Sequence, residues 1–167
     1  MAAPRIAIVF GSDSDWDTME KCVKQLEAFN ETPFVEVMSA HRNPDRVAEF
    51  ARGAEEGGFE VIIAAAGMSN ALAGAVAAHT PLPVIGVPLE SGPMHGTDAL
   101  YSTVQMPPGI PVATVSIGSA GAKNAALLAV QILARKDERL AAAFRQFKQD
   151  QADDVAKRNA RVQEKLS

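Results

Sequence analysis

Ser39-Ala40-His41-Arg42 lies between an apolar run at 33–38 and the pair Asn43-Pro44. Histidine is the side chain that gives and takes protons near neutral pH. Arginine grips phosphate or carboxylate through paired, charge-assisted hydrogen bonds. Side by side, with a serine two residues before the ring, they form a unit able to anchor an anion and move a proton next to it. His41 falls beyond the end of the apolar run, so the periodicity of a core does not account for it. A second cluster, Gly11-Ser12-Asp13-Ser14-Asp15, follows the run at 5–10 and leads into a helical pattern. Gly11 permits a tight turn, and exposed N–H groups with two hydroxyls suit a phosphate. The two aspartates repel an anion. A carboxylate here either accepts hydrogen bonds from sugar hydroxyls or, with Ser14, caps the helix. Gly67-Met68-Ser69-Asn70 makes a third cluster, and the stretch 90–97, with His95 among glycines, a fourth. His79, before Thr80-Pro81, reads as a helix-end residue. The chain has no Cys/His/Asp group at metal spacing, no GxSxG elbow and no P-loop lysine. What remains is proton transfer on a small phosphorylated molecule, for which a positioned acid/base supplies about 10²–10⁴-fold.

These clusters need a frame that brings them together. Short apolar runs at 5–10, 33–38, 60–66, 83–88 and 111–117 read as strands buried on both faces. Trp16, Met19, Val23, Leu26 and Phe29 mark one face of a first helix, and Asn43 with Pro44 at the next position predicts a capped second helix. An alanine-rich helix follows the third run, and "AKNAALLAVQILARK" is a strong helix after the fifth. Strands alternating with helices imply an α/β fold, a five-stranded parallel sheet covered on both faces, in flavodoxin-like or Rossmann-like order. All strands of such a sheet end on one side, and all four clusters lie at those ends. Ala120, Ala122, Ala125, Ala126 and Ala129 spread small residues around the fifth-run helix and allow close helix approach, as at the centre of an oligomer. The segment from 136 to 167 is helical in composition but its stripe is sparse: Leu140, Phe144, Phe147, Val155, Val162 and Leu166. It reads as an arm reaching a neighbouring subunit or as a surface helix, appended to a core of 5–135 within one domain.

At 167 residues the chain suffices for one full core and not for two ordinary ones. A net charge of −4 argues against a nucleic-acid surface, which needs a basic stripe. Cys22, the single cysteine, excludes an internal disulfide and sits on the apolar side of its helix as buried filler. The N-terminus lacks a basic head and long apolar stretch, and the apolar region 61–87 is broken by Ser69, Asn70, His79, Pro81 and Pro83. A cytoplasmic protein without membrane contact is the expectation.

"GSDSDW", "SAHR", "ALYSTVQMPPGIPVATVSIG" and "GAKNAALLAVQILA" resemble, in order and spacing, the bacterial N5-carboxyaminoimidazole ribonucleotide mutase (PurE) family of purine biosynthesis, over about residues 5–135. The resemblance implies a flavodoxin-like three-layer α/β/α sandwich with a C-terminal helical extension, a homo-octamer with active sites at subunit contacts, and no metal or organic cofactor. It implies transfer of a carboxyl group from the exocyclic nitrogen of an aminoimidazole ribonucleotide to ring carbon 4. His41 matches the general acid/base. Ser12, Asp15 and Arg42 match substrate-binding positions: Arg42, with Ser14 and Ser39, would hold the 5′-phosphate, and Asp15 the ribose hydroxyls. The third loop, with Gly67, Ser69 and Asn70, would confine released carbon dioxide.

One loop departs from that pattern. Mutases usually read "GGAAHLPG" where this chain has "GMSNALAG", so Ala71 replaces the family histidine. "SNAL" resembles the related carboxylases, which use free carbon dioxide directly, although those often carry a lysine where this chain has Arg42. The mutase is the reading adopted, with the carboxylase as its alternative. A receiver-type signalling domain would need an acceptor aspartate and a lysine where the chain has Ala66-Gly67 and Ser116-Ile117. A flavin-binding module would need a phosphate loop free of acids and aromatic residues beside the ring, yet Trp16 and Tyr101 are the only Trp and Tyr.

Overall fold

The computed structural model describes residues 3–166. They form two compact units that divide between Ala129 and Val130. In the first, β1 (Ile6–Phe10), β2 (Phe34–Val37), β3 (Val61–Gly67), β4 (Val84–Leu89) and β5 (Ala113–Thr114) alternate with α1 (Trp16–Glu27), α2 (Pro44–Gly53), α3 (Leu72–Ala77) and α4 (Thr97–Val104), before α5 (Gly118–Leu133). The sheet order is β2-β1-β3-β4-β5, with every neighbouring pair parallel. This is the flavodoxin-like order, whose winding reverses at β1/β3.

The apolar runs become strands because both faces of the sheet are covered. All of β1 and β4 and the first part of β3 are buried. Ala7 and Val9 point into a core with Val47, Phe50 and Ala51 of α2 and Leu72, Ala73 and Val76 of α3. Ile6, Ile8 and Phe10 alternate to the opposite face. On α1 the buried stripe is Met19, Cys22 and Leu26. Trp16 is 41% exposed, so the expected face is rotated, with Cys22 taking the place given to Val23. Burial pushes the Cys22 thiol up to about 12 against the opposing Ala126 backbone hydrogen bond, which keeps it protonated and unreactive.

Two expectations about the frame are corrected. The run at 111–117 contributes a strand of only Ala113–Thr114. As the edge strand it pairs on one side alone, and Pro111 has no N–H to add to the ladder. The alanines of α5 are not spread around the helix: Ala122, Ala125, Ala126 and Ala129 are fully buried within this chain, at the spacing of one helix face, and of the five only Ala120 is exposed.

In the second unit, α6 (Glu138–Gln163) starts at Asp137, whose carboxylate accepts from the Leu140 N–H at 3.2 Å. Leu140 is buried and the Phe144 and Phe147 rings lie 5.9 Å apart, while Val155, Val162 and Leu166 are exposed. No helix among the described residues is long and apolar enough to cross a membrane.

Candidate active site

A cavity of about 410 Å³ opens at the C-terminal ends of the strands, where the winding reverses. Ligand sites of doubly wound sheets lie at this place. Its lining draws on Ser12, Ser14 and Asp15 after β1, Ser39, His41 and Arg42 after β2, Gly67 and Ser69 after β3, and Ser91 after β4. The clusters separated along the chain therefore open onto one space.

Capping of the first turn falls to Ser12, whose Oγ accepts from the Ser14 N–H (3.3 Å) and the Ser14 hydroxyl (2.9 Å). Asp15 makes no side-chain cap, which leaves its carboxylate for a ligand. Half-burial raises its pKa. The Ser12 backbone opposes that rise, Asp13 adds to it, and Arg42 opposes it. Gly11 adopts no left-handed φ, and a Cβ there would meet Ala66 Cβ at 3.5 Å and Asp15 Oδ2 at 3.9 Å, both ordinary contacts, so the turn does not demand glycine. Its carbonyl is what matters, because it accepts from Arg42 Nη2 at 3.1 Å.

The second turn is closed from within. Asn43 was expected to cap α2, but its Oδ1 accepts from the Ser39 N–H at 2.6 Å and makes no cap bond to the helix. The Ser39 hydroxyl accepts from Arg42 N (3.3 Å) and Nε (3.4 Å). Arg42 is thus stretched from its own loop to the first one, with its Nη1 protons still available to an anion. His41 is exposed, and no described residue hydrogen-bonds its ring. A proton carrier with no protein partner is free to serve a ligand.

The third loop divides differently from expectation. Gly67 and Ser69 line the cavity, but Asn70 does not. Asn70 is 1% exposed, its Nδ2 donates to Thr103 Oγ1 (2.9 Å) and its Oδ1 accepts from the Leu72 N–H (3.2 Å). Its own N–H donates to Ser102 Oγ at 2.9 Å. A side chain spent this way braces the loop on α4. Ala71 lines the cavity, so His41 is the one imidazole among the lining residues. His95 lies outside that lining, and His79 Nδ1 meets the Ala75 carbonyl at 2.9 Å, as a helix-end residue should. Sequence reasoning missed Ala66 and Leu72 as lining residues, and placed Met68 and Ser91 only within the third and fourth candidate clusters. Met68 and Ser91 carry the signal of lying just past a strand, whereas Ala66 lies within β3 and Leu72 opens α3.

A parallel sheet in this order, with a cavity at the reversal and a free imidazole next to a tethered guanidinium, defines a flavodoxin-like α/β protein with a small-ligand site. The chain belongs to the AIR carboxylase family, which its residues 5–154 match. Among curated relatives, N5-carboxyaminoimidazole ribonucleotide mutase of Escherichia coli K12 is 52% identical over 151 residues, 90% of this chain and 89% of that protein. The protein of the same name from Mycobacterium tuberculosis H37Rv is 51% identical over 160 residues, 96% of this chain and 91% of that one. Among solved structures, Treponema denticola PurE superposes with a TM-score of 0.85 at 30% identity, covering 95% of this chain and 98% of that chain.

Proposed function

We propose that this chain is an N5-carboxyaminoimidazole ribonucleotide mutase, an isomerase that moves a carboxyl group from the exocyclic nitrogen of its substrate to ring carbon 4. Near-full-length identity of about half to curated mutases supports the reaction. The observation that supports the site assignment is the tie from Arg42 to the Gly11 carbonyl, which sets His41 over the same cavity as Ser12, Ser14 and Asp15.

In this reading Arg42, Ser14 and Ser39 take the 5′-phosphate, and Ser12 and Asp15 the ribose side. His41 in its protonated form delivers a proton to the exocyclic nitrogen as the C–N bond breaks and carbon dioxide is released. Carbon 4 then attacks that carbon dioxide, and the neutral ring removes the carbon-4 proton. One proton leaves the imidazole and one returns, so the enzyme ends as it began. Gly67, Ser69 and the apolar lining of Ala71 and Leu72 limit escape and hydration of the intermediate. Asn70 enters this account only as the brace of that loop.

The same reading carries a homo-oligomer, an octamer on the family pattern, and a cytoplasmic setting. Met68, Met94, Tyr101 and Val104, all exposed in the single chain, support an assembly.

Ala71 in place of a cavity histidine favours a second reading, direct carboxylation by free carbon dioxide. Purified protein is offered the N-carboxylated ribonucleotide in one cuvette and the uncarboxylated ribonucleotide with bicarbonate in another. Turnover of the first at low carbon dioxide is the expected result. Activity confined to the second cuvette would replace the mutase with the carboxylase.

A further inference from the structure

The cavity runs along the sheet edge from the end of β2 to the end of β4. Three strand spacings of about 4.8 Å make this about 14 Å, the scale of a ribonucleotide from phosphate to base. With the phosphate held over β1 and β2, the reacting heterocycle lies over β3 and β4. There the lining is mostly apolar or backbone, and Ser91 is its one polar side chain after β4.

Ser91 is held in place by an interlock of two loops. A Cβ on Gly67 would fall on the Ser91 hydroxyl and within 2.8 Å of Ser91 Cβ, so the serine occupies the space that glycine leaves. In return, Met68 Cγ lies 3.3 Å from where a Cβ on Gly92 would stand. Met68 reaches over through a left-handed backbone, φ 53°, and Gly92 receives it at φ 69°. Among the lining hydroxyls, those of Ser12, Ser14 and Ser39 are engaged with the protein, and Ser69 stands exposed on the third loop. No described residue hydrogen-bonds the half-buried Ser91 hydroxyl. With no bond to the protein to break, this hydroxyl is open to a ligand oxygen in the cavity.

We propose that Ser91 is a further substrate-contacting residue: its hydroxyl donates to an oxygen of the migrating carboxyl group and holds carbon dioxide over the ring between bond breaking and bond making. The inference rests on the carboxyl-transfer reading above, but not on which donor supplies the carboxyl group. Ser91 forms no covalent bond. The proton moves only between His41 and the substrate, and the hydroxyl stabilises the carboxylate before and after transfer.

The test uses the full chain carrying Ser91→Ala, assayed with both donors. From the N-carboxylated ribonucleotide, the share of consumed substrate emerging as the carbon-4 product, against uncarboxylated ribonucleotide, is expected to fall about 10-fold, the loss of one charge-assisted hydrogen bond. With uncarboxylated ribonucleotide and bicarbonate, kcat/KM for carbon dioxide should fall about as far, while ribonucleotide affinity stays unchanged. Gly67→Ala, which displaces the hydroxyl without removing it, should shift both readouts the same way. Wild-type partition and carbon dioxide dependence in Ser91→Ala would overturn the proposal, as would a defect confined to ribonucleotide affinity. If wild type turns over only the bicarbonate mixture, the mutase reading fails, and the carbon dioxide dependence of the variant still decides the role of Ser91.

Discussion

The two halves of the cavity are built on different principles. Over β1 and β2 the lining is charged and hydroxylated, and its side chains hold one another: Ser12 receives Ser14, Ser39 receives Arg42, and Arg42 reaches Gly11. Over β3 and β4 the lining is backbone, apolar side chains and the hydroxyls of Ser69 and Ser91, positioned by glycines that admit a neighbour and by the Asn70 brace behind it. A polar network suits a permanent anion, because its donors are already oriented when the ligand arrives. A dry, closely packed wall suits a small uncharged intermediate, which must be confined more than it must be bound. The affinity and the fate of the substrate are therefore separable along one cavity, and substitutions should sort accordingly.

The largest effect falls at His41, in the loop after β2. His41→Asn should lower kcat by roughly 10²–10⁴-fold while leaving ribonucleotide affinity largely intact, read by single-turnover kinetics beside calorimetry. Retained turnover would remove His41 as the proton carrier. Arg42→Ala belongs wholly to the polar half and should weaken ribonucleotide binding by about 10–100-fold, through loss of charge-assisted bonds. Unchanged affinity would put the phosphate somewhere other than the first two loops. Asn70→Ala belongs to the wall. It strands the Leu72 N–H in a buried place and should reduce unfolding free energy by about 1–3 kcal/mol in urea titrations. Undiminished stability with a tenfold loss of ribonucleotide affinity would return Asn70 to the ligand.

Asp15→Asn gives the smallest effect on stability, and its sign is set by the raised carboxyl pKa. Folding disfavours the ionised form, so the contribution of Asp15 to stability is greatest below its unfolded pKa and is lost as pH rises through the higher folded value. The variant should therefore melt slightly above wild type at neutral pH. That gap should close in acid, where both side chains are neutral, while ribonucleotide binding weakens. A variant that melts below wild type at neutral pH would mean that Arg42 outweighs desolvation at this carboxylate.

Much of this was legible before any coordinates. Unbroken apolar runs such as 5–10 and 60–66 demand burial on both sides, which in an alternating chain means a covered parallel sheet. The consecutive pair His41-Arg42 past a strand end pointed to the ligand edge of the sheet, and both residues do line the cavity there. Less of the wall could be read. Asn70 carries a ligand-like side chain and is buried behind the loop, while Ser91 carries an ordinary one and faces the cavity. Asn43 caps its own turn and not its helix, since the Ser39 N–H lies closer to its oxygen than any helix donor does.

By itself, then, the order of residues determined the alternation of strands and helices, the family, and the chemistry of the polar half, because composition and local spacing decide which segments must be buried and which groups can ionise. Only the tertiary structure decided which hydroxyls are spent and which are left for a ligand. A hydrogen bond between Asn70 and Thr103, or a glycine at 67 making room for a serine at 91, joins residues far apart in the chain. No local pattern records a neighbour that arrives from another strand.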